Sequence, residues 1–202
     1  VSKPGGEAYA ERMGINHLYL PTCHSYEEIK RHNKTLCDAL GIEYDGDTQG
    51  EKNAEQALEK AFNIIGKAPI AIDYTMTPRP VGLARLLVEH GFNVKYLYID
   101  SFVGEEKEDF EALKALAPDI VVMPTVHAAM GSVDRNQFGK VLCLGQKAAY
   151  FTDSRNFVNI VEGAGMYGFG GIVSLCDLLV DAYLNEKDTE KEISVKGLGC
   201  CG

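Results

Sequence analysis

Short apolar runs alternate with amphipathic stretches along most of the chain. Pro69-Ile70-Ala71-Ile72-Asp73-Tyr74 is the clearest run, and 93–99, 120–123 and 140–144 repeat the pattern. Each is nearly continuous in hydrophobic residues, which marks strands buried on both faces of a parallel sheet. Helical patterns lie between them. Ala54, Ala57, Leu58, Ala61, Phe62 and Ile65 recur at helical spacing over 51–65. Further helices are predicted over 81–90, over 105–116 with Phe110, Leu113 and Leu116 inward, and over 168–184 with Ile172, Leu175, Cys176, Leu179 and Tyr183 on one face. The alternation predicts an α/β fold: a Rossmann-like doubly wound, mostly parallel sheet with helices on both faces. The run 148–151 reads as a further short strand.

The N-terminal part has its own signals. An apolar run, 17–20, follows Gly14. Ser25-Tyr26-Glu27-Glu28 is a capping box, and Ile29, Leu36, Cys37 and Leu40 give the helix it opens an apolar face before Gly41. The organisation expected is the end of a preceding α/β module plus a linker helix over 1–48, a Rossmann-like domain over 49–184 and a polar tail over 185–202.

Charge and cysteine usage narrow the function classes. Asp and Glu number 29 against 20 Lys and Arg, a formal net charge of −9. Nucleic acid and anionic membrane, which select basic surfaces, are not expected partners. No apolar run approaches the roughly 18 residues of a membrane span. The 6 cysteines form no Cys-x-x-Cys pair. Cys37, Cys143 and Cys176 fall inside apolar patterns, as free thiols in a reducing cytoplasm do. The chain opens on Val1-Ser2-Lys3 without a signal segment, and reads as a processed chain or a piece of a longer one.

Open parallel sheets bind ligands at the carboxyl ends of their strands, which selects the loops 21–25, 75–80, 124–132 and 145–151, with 163–171 beside them. No Gly-x-Gly-x-x-Gly follows the first strand of the unit, and no Gly-Lys-Ser/Thr loop is present. The glycine-rich segment from Gly165 to Gly171 reads either as an anion-binding set of amides or as a tight turn. In Thr75-Met76-Thr77-Pro78-Arg79-Pro80, Arg79 offers a bidentate fork to a carboxylate or anionic cofactor, or is a surface arginine at a proline-primed helix start. His127 is a candidate acid, base or ligand, or a plain loop residue. Cys23-His24 pairs two soft ligands, yet adjacent positions rarely converge on one ion. His17, His32 and His90 read as surface positions. Glu27-Glu28 and Glu105-Glu106 stand at helix N-termini, where the dipole favours carboxylates.

These motifs, in this order, are similar to those of a known family. Glu11-Arg12-Met13-Gly14-Ile15 resembles a helix end before a strand. The stretch from Ile70 through Pro78-Arg79-Pro80 to Val81-Gly82 resembles a strand, a Pro-Arg loop and a helix. Ala117-Pro118-Asp119-Ile120-Val121 resembles a Lys-Pro-Asp strand start, and Tyr167-Gly168-Phe169-Gly170-Gly171 a Gly-Phe-Asp-Gly helix opening. Together they resemble the α-type chain of nitrogenase component 1, a family that includes cofactor-assembly scaffolds and tetrapyrrole reductases. The resemblance implies an oxidoreductase domain that helps enclose a metallocluster or tetrapyrrole site for low-potential, anaerobic reduction. It implies an iron-sulfur cluster or other metallocofactor in the full-length protein, a second component 1 chain and an ATP-dependent iron–sulfur reductase protein as partners. The family's cofactor-facing arginine loop falls at Thr77 to Arg79. Because they lie in strand-end or helix-start loops, Thr75, Thr77, Arg79 and Gly168 are expected to face the cofactor, and His127 and Tyr167 to donate protons or hydrogen bonds. Two departures stand out. Tyr167 occupies the place of the family's histidine ligand, and Thr77 replaces a basic residue. The family's cysteine-bearing region precedes Val1, so this chain alone is expected to hold no cofactor tightly, and its own metal ligands stay unassigned. The alternative is a cofactor-assembly scaffold or carrier without turnover.

Overall fold

The computed structural model describes residues 2–163 and 165–194. Helix α1 (Ser2–Met13) and helix α2 (Tyr26–Leu40) precede a long helix α3 (Thr48–Ile65). Strand β1 (Pro69–Asp73) then begins the strand–helix alternation: α4 (Pro80–Glu89), β2 (Asn93–Tyr98), α5 (Lys107–Leu116), β3 (Val121–Met123), β4 (Leu142–Leu144), α6 (Gln146–Thr152), β5 (Phe157–Val158) and α7 (Gly168–Leu184). The strands form one 5-stranded sheet in the order β3-β2-β1-β4-β5, with every pairing parallel. This is the doubly wound fold that the alternation predicts.

Alternation along β1 divides the core. Ile70 and Ile72 join the larger apolar cluster, with Leu58 and Ile65 of α3, Leu83 and Leu87 of α4 and Leu175 and Leu179 of α7. Ala71 faces the opposite side, with Tyr98, Cys143, Ala148, Phe151 and Phe157. The two faces are therefore covered unequally, one by long helices and the other by short α6 and neighbouring turns.

Several expectations are corrected. Residues 148–151 are helical, within α6, and the fifth strand is β5. Residues 17–20 have no regular structure, because no strand lies beside them to pair. Leu116 is exposed, as are Leu36 and Leu40 on α2, where only Ile29 is buried. His32 is mostly covered and lies 3.5 Å from Cys23 Sγ. Within the stretch read as a tail, Thr189 and Ile193 are buried, and Thr189 Oγ1 donates to Ser154 O at 2.6 Å. Cys200 and Cys201 lie outside the described residues. No helix among the described residues is long and apolar enough to cross a membrane.

The capping box holds by half. Ser25 Oγ accepts from Glu28 N at 3.2 Å, while the Glu28 carboxylate goes to Arg79. Removing the cap with Ser25→Ala is expected to lower stability by about 1 kcal/mol, read from urea unfolding.

Candidate functional site

The strand order places the topological switch point between β1 and β4, where doubly wound sheets open a crevice for ligands. Here the chain fills it with a carboxylate of its own. Asp73, the last residue of β1, is fully buried. Its Oδ1 accepts from Thr75 N at 2.7 Å and from Thr75 Oγ1, and its Oδ2 accepts from Ala148 N of α6 at 2.6 Å. Gln146 N donates to Thr75 Oγ1 at 3.3 Å, so Thr75 is spent inside the turn. Burial pushes the Asp73 carboxyl up from its ordinary value, and these hydrogen bonds oppose the push. Gly145 makes the close approach possible: its φ is +111°, and a Cβ there would lie 2.4 Å from the Asp73 carboxyl. Helix α4 is closed in the same way. Glu106 Oε1 accepts from Val81 N at 2.8 Å and Gly82 N at 3.1 Å. Glu106 thus complements a helix N-terminus, but that of α4 and not of the helix it precedes. The amides that would cradle a phosphate are taken at both places, in keeping with the missing nucleotide fingerprint.

Two clefts open beside the plugged crevice. The first, about 380 Å³, is lined by Tyr74, Thr77, Pro78, Pro80 and 100–103. The second, about 450 Å³, is lined by Thr125, His127, Met130, Arg135, Lys147 and Tyr150 among others. A polar network joins them. Lys147 Nζ is 3.2 Å from Thr125 Oγ1 and 4.7 Å from the centre of the Tyr74 ring. Thr125 Oγ1 donates to Asp100 Oδ2 at 2.6 Å, and Val126 N donates to Oδ1 at 3.0 Å. Burial works against ionisation of Asp100, but these hydrogen bonds and the Lys147 charge prevail and hold its carboxyl below the usual range.

The residues singled out in the sequence scatter across this edge. Arg79 turns inward and is only 4 % exposed. Its Nη1 donates to Glu28 Oε2 at 2.8 Å and Thr22 O at 3.1 Å; its Nη2 donates to Asp109 Oδ2 at 2.9 Å and Glu105 O at 3.2 Å. The fork does grip carboxylates, but they are the protein's own. Thr77 and Gly168 line a third, much smaller cavity of about 20 Å³, with Cys23, His24 and Met166. That volume admits about one water-sized sphere and no cofactor. His24 Nε2 lies 3.3 Å from Thr77 Oγ1, and burial, with Arg79 adding to it, lowers the imidazole pKa to about 4. His127 lines the second cleft, its Nδ1 accepting from Ala129 N at 3.2 Å. Tyr167 is 65 % exposed at the start of α7 and lines none of these spaces. Asp73, Asp100, Thr125 and Lys147 were not singled out by sequence reasoning. The signal available was an acidic residue at the end of each of two apolar strand runs, Asp73 and Asp100.

His127→Ala and Tyr167→Phe remove exposed groups without core contacts. Each is expected to change unfolding free energy by less than about 0.5 kcal/mol. A larger loss in thermal or urea unfolding would give them a structural duty instead.

The described residues do not by themselves gather a full ligand set for a metal ion. No group of three His, Cys, Asp or Glu side chains among them is gathered to hold a metal ion. Burial pushes the thiols of Cys23, Cys143 and Cys176 up to about 12. The edge offers hydroxyls, an ammonium and an imidazole, all of them hydrogen-bonding groups.

No family model matches the chain. No curated protein matches it. Among solved structures it is similar to one described as "Nitrogenase Cp1 at pH 6.5", with 14 % sequence identity and a TM-score of 0.56. The match covers 89 % of this chain and 42 % of that one, so the chain spans less than half the length of the protein it matches. At that identity the likeness is one of fold.

Proposed function

We propose that the chain is the Rossmann-like domain of a nitrogenase-like reductase, and that its carboxyl-edge loops form one wall of a larger cavity. The cavity would take a metallocluster or tetrapyrrole whose ligands come from outside the described residues. The observation that carries this reading is the fold likeness to a nitrogenase chain along nearly the whole of this one. Fold alone does not fix function, and the site must bear it out. The plugged helix N-termini support it by removing the usual nucleotide role of such a sheet, and the hydroxyl- and amine-bearing loops support it by offering hydrogen bonds around a bound group. In this reading His127 and Tyr167 meet the group or its substrate as donors, Thr77 and Gly168 shape the adjoining backbone, and Arg79 positions the 75–80 loop that carries Thr77. A second chain of the same type and an ATP-dependent iron–sulfur reductase would complete the assembly.

The native protein, purified anaerobically from its source with any chains that accompany it, is to be measured for iron by atomic absorption and for visible absorbance. Iron or a chromophore in stoichiometric amount is the expected result. A colourless, iron-free protein without companion chains overturns the reading. Substrate reduction with the iron protein and ATP then separates turnover from carriage.

A further inference from the structure

The second cleft combines cations with apolar side chains. In a chain with a formal net charge of −9, its wall contains Lys147, Arg135 and His127 and no carboxylate. The acidic residues that balance the two cations stand outside the wall. Asp153, bound to Arg135 Nη2 at 2.6 Å, does not line the cleft, and Asp100, near Lys147, belongs to the neighbouring one. The rest of the wall is largely apolar: Val126, Met130, Val133 and Phe151 among others, with the ring of Tyr150. Val126 is 79 % exposed, an apolar side chain left to water. A cleft of about 450 Å³ is within the range that encloses a small organic ligand.

Both cations are held in place by the protein's own groups. Arg135 Cζ stacks 4.5 Å from the centre of the Tyr150 ring, and its Nε donates to Tyr150 O at 2.6 Å. Those contacts, with Asp153, fix the guanidinium plane and leave Nη1 without a partner among the described residues. Lys147 is fixed between the Tyr74 ring and Thr125. Groups already ordered bind an anion at a smaller entropy cost. Apolar walls and fixed cations together select a ligand with both characters.

We infer that this cleft binds a small, largely apolar organic acid, with the carboxylate at Lys147 and Arg135 and the apolar body against Val126, Met130 and Phe151. The inference rests on the cleft alone and stands whether or not the chain is part of a reductase.

The test uses the full chain and two flat aromatic probes of equal shape, 1-naphthoate and the uncharged 1-naphthamide, in titration calorimetry with amide chemical shifts as a map. Naphthoate is expected to bind at least about tenfold more tightly than naphthamide, the scale of a charge-assisted pair. Shifts should gather at 125–133 and 147–151. Arg135→Gln is expected to remove most of that preference. Val126→Asp, at an exposed position that folding does not depend on, is expected to weaken naphthoate by about tenfold and leave naphthamide less affected. Equal affinity for the two probes, shifts centred on 74–80 and 100–103, or naphthoate binding indifferent to Val126→Asp would each overturn the assignment.

Discussion

Arg79→Ala is expected to lower the free energy of unfolding by about 3–5 kcal/mol. The guanidinium joins three separate pieces: Thr22 and Glu28 at the N-terminal side, the start of α4, and Asp109 on α5 with Glu105 just before that helix. Without it, Glu28 and Asp109 remain in a mostly dry place, and Asp109 keeps only its 3.1 Å contact to Arg85 Nη1. The penalty comes from the carboxylates left behind more than from the attraction lost. Adding Glu28→Gln and Asp109→Asn to Arg79→Ala should therefore recover part of the loss, a non-additivity that urea unfolding of the series would show. Were Arg79 instead a ligand-holding residue, its removal would abolish binding and leave the unliganded protein as stable as before.

Gly145→Ala is expected to cost at least about 3 kcal/mol, or roughly 10 °C in melting temperature for a chain of this size. Two effects coincide. A φ of +111° is open to glycine and strained for any other residue, and the added methyl would lie 2.4 Å from the carboxyl of Asp73. The methyl cannot be absorbed by a side-chain swing, because Thr75 and Ala148 hold that carboxylate by hydrogen bonds. Asp73→Asn, which keeps the shape and sacrifices an acceptor, should cost less, about 1–3 kcal/mol by the same melts.

Much of the fold was legible. The apolar runs at 69–74, 93–99, 120–123 and 140–144 contain β1 to β4. The expected cover on both faces holds for β1 and β4 and not for edge strand β3, where Val121 and Val122 are exposed because no further strand or long helix lies over them. Helix α7 runs over the residues its periodicity predicts, Gly168 to Leu184. The failures have local causes. Four apolar residues at 148–151 carry no period, so helix and strand could not be told apart, and β5 is a two-residue strand defined by its partner β4 rather than by its own sequence. Of the site, the loops were legible and the directions of their side chains were not. Thr77-Pro78-Arg79 does follow a strand, yet Arg79 turns inward because its carboxylates come from 51 and 30 residues away. Likewise Glu106 reads as serving the helix beside it, and only the packing of α5 against α4 shows which helix it caps.

The strand order carries a kinetic consequence. From the central strand β1, the chain reaches β2 and then β3 by consecutive crossovers, so that half can assemble as each segment follows the last. The other flank of β1 must wait for β4, whose Leu142 pairs with Ile70 only after the whole first half has been threaded between them. Loop-closure entropy therefore favours an order of assembly in which β1 to β3 precede β4 and β5. Until β4 arrives, the open flank of β1 presents Ile70, Ala71 and Ile72 to whatever else is in solution. A conversion of Ile72 to Val should then change folding and unfolding rates in a different ratio from Val158→Ala on the late strand.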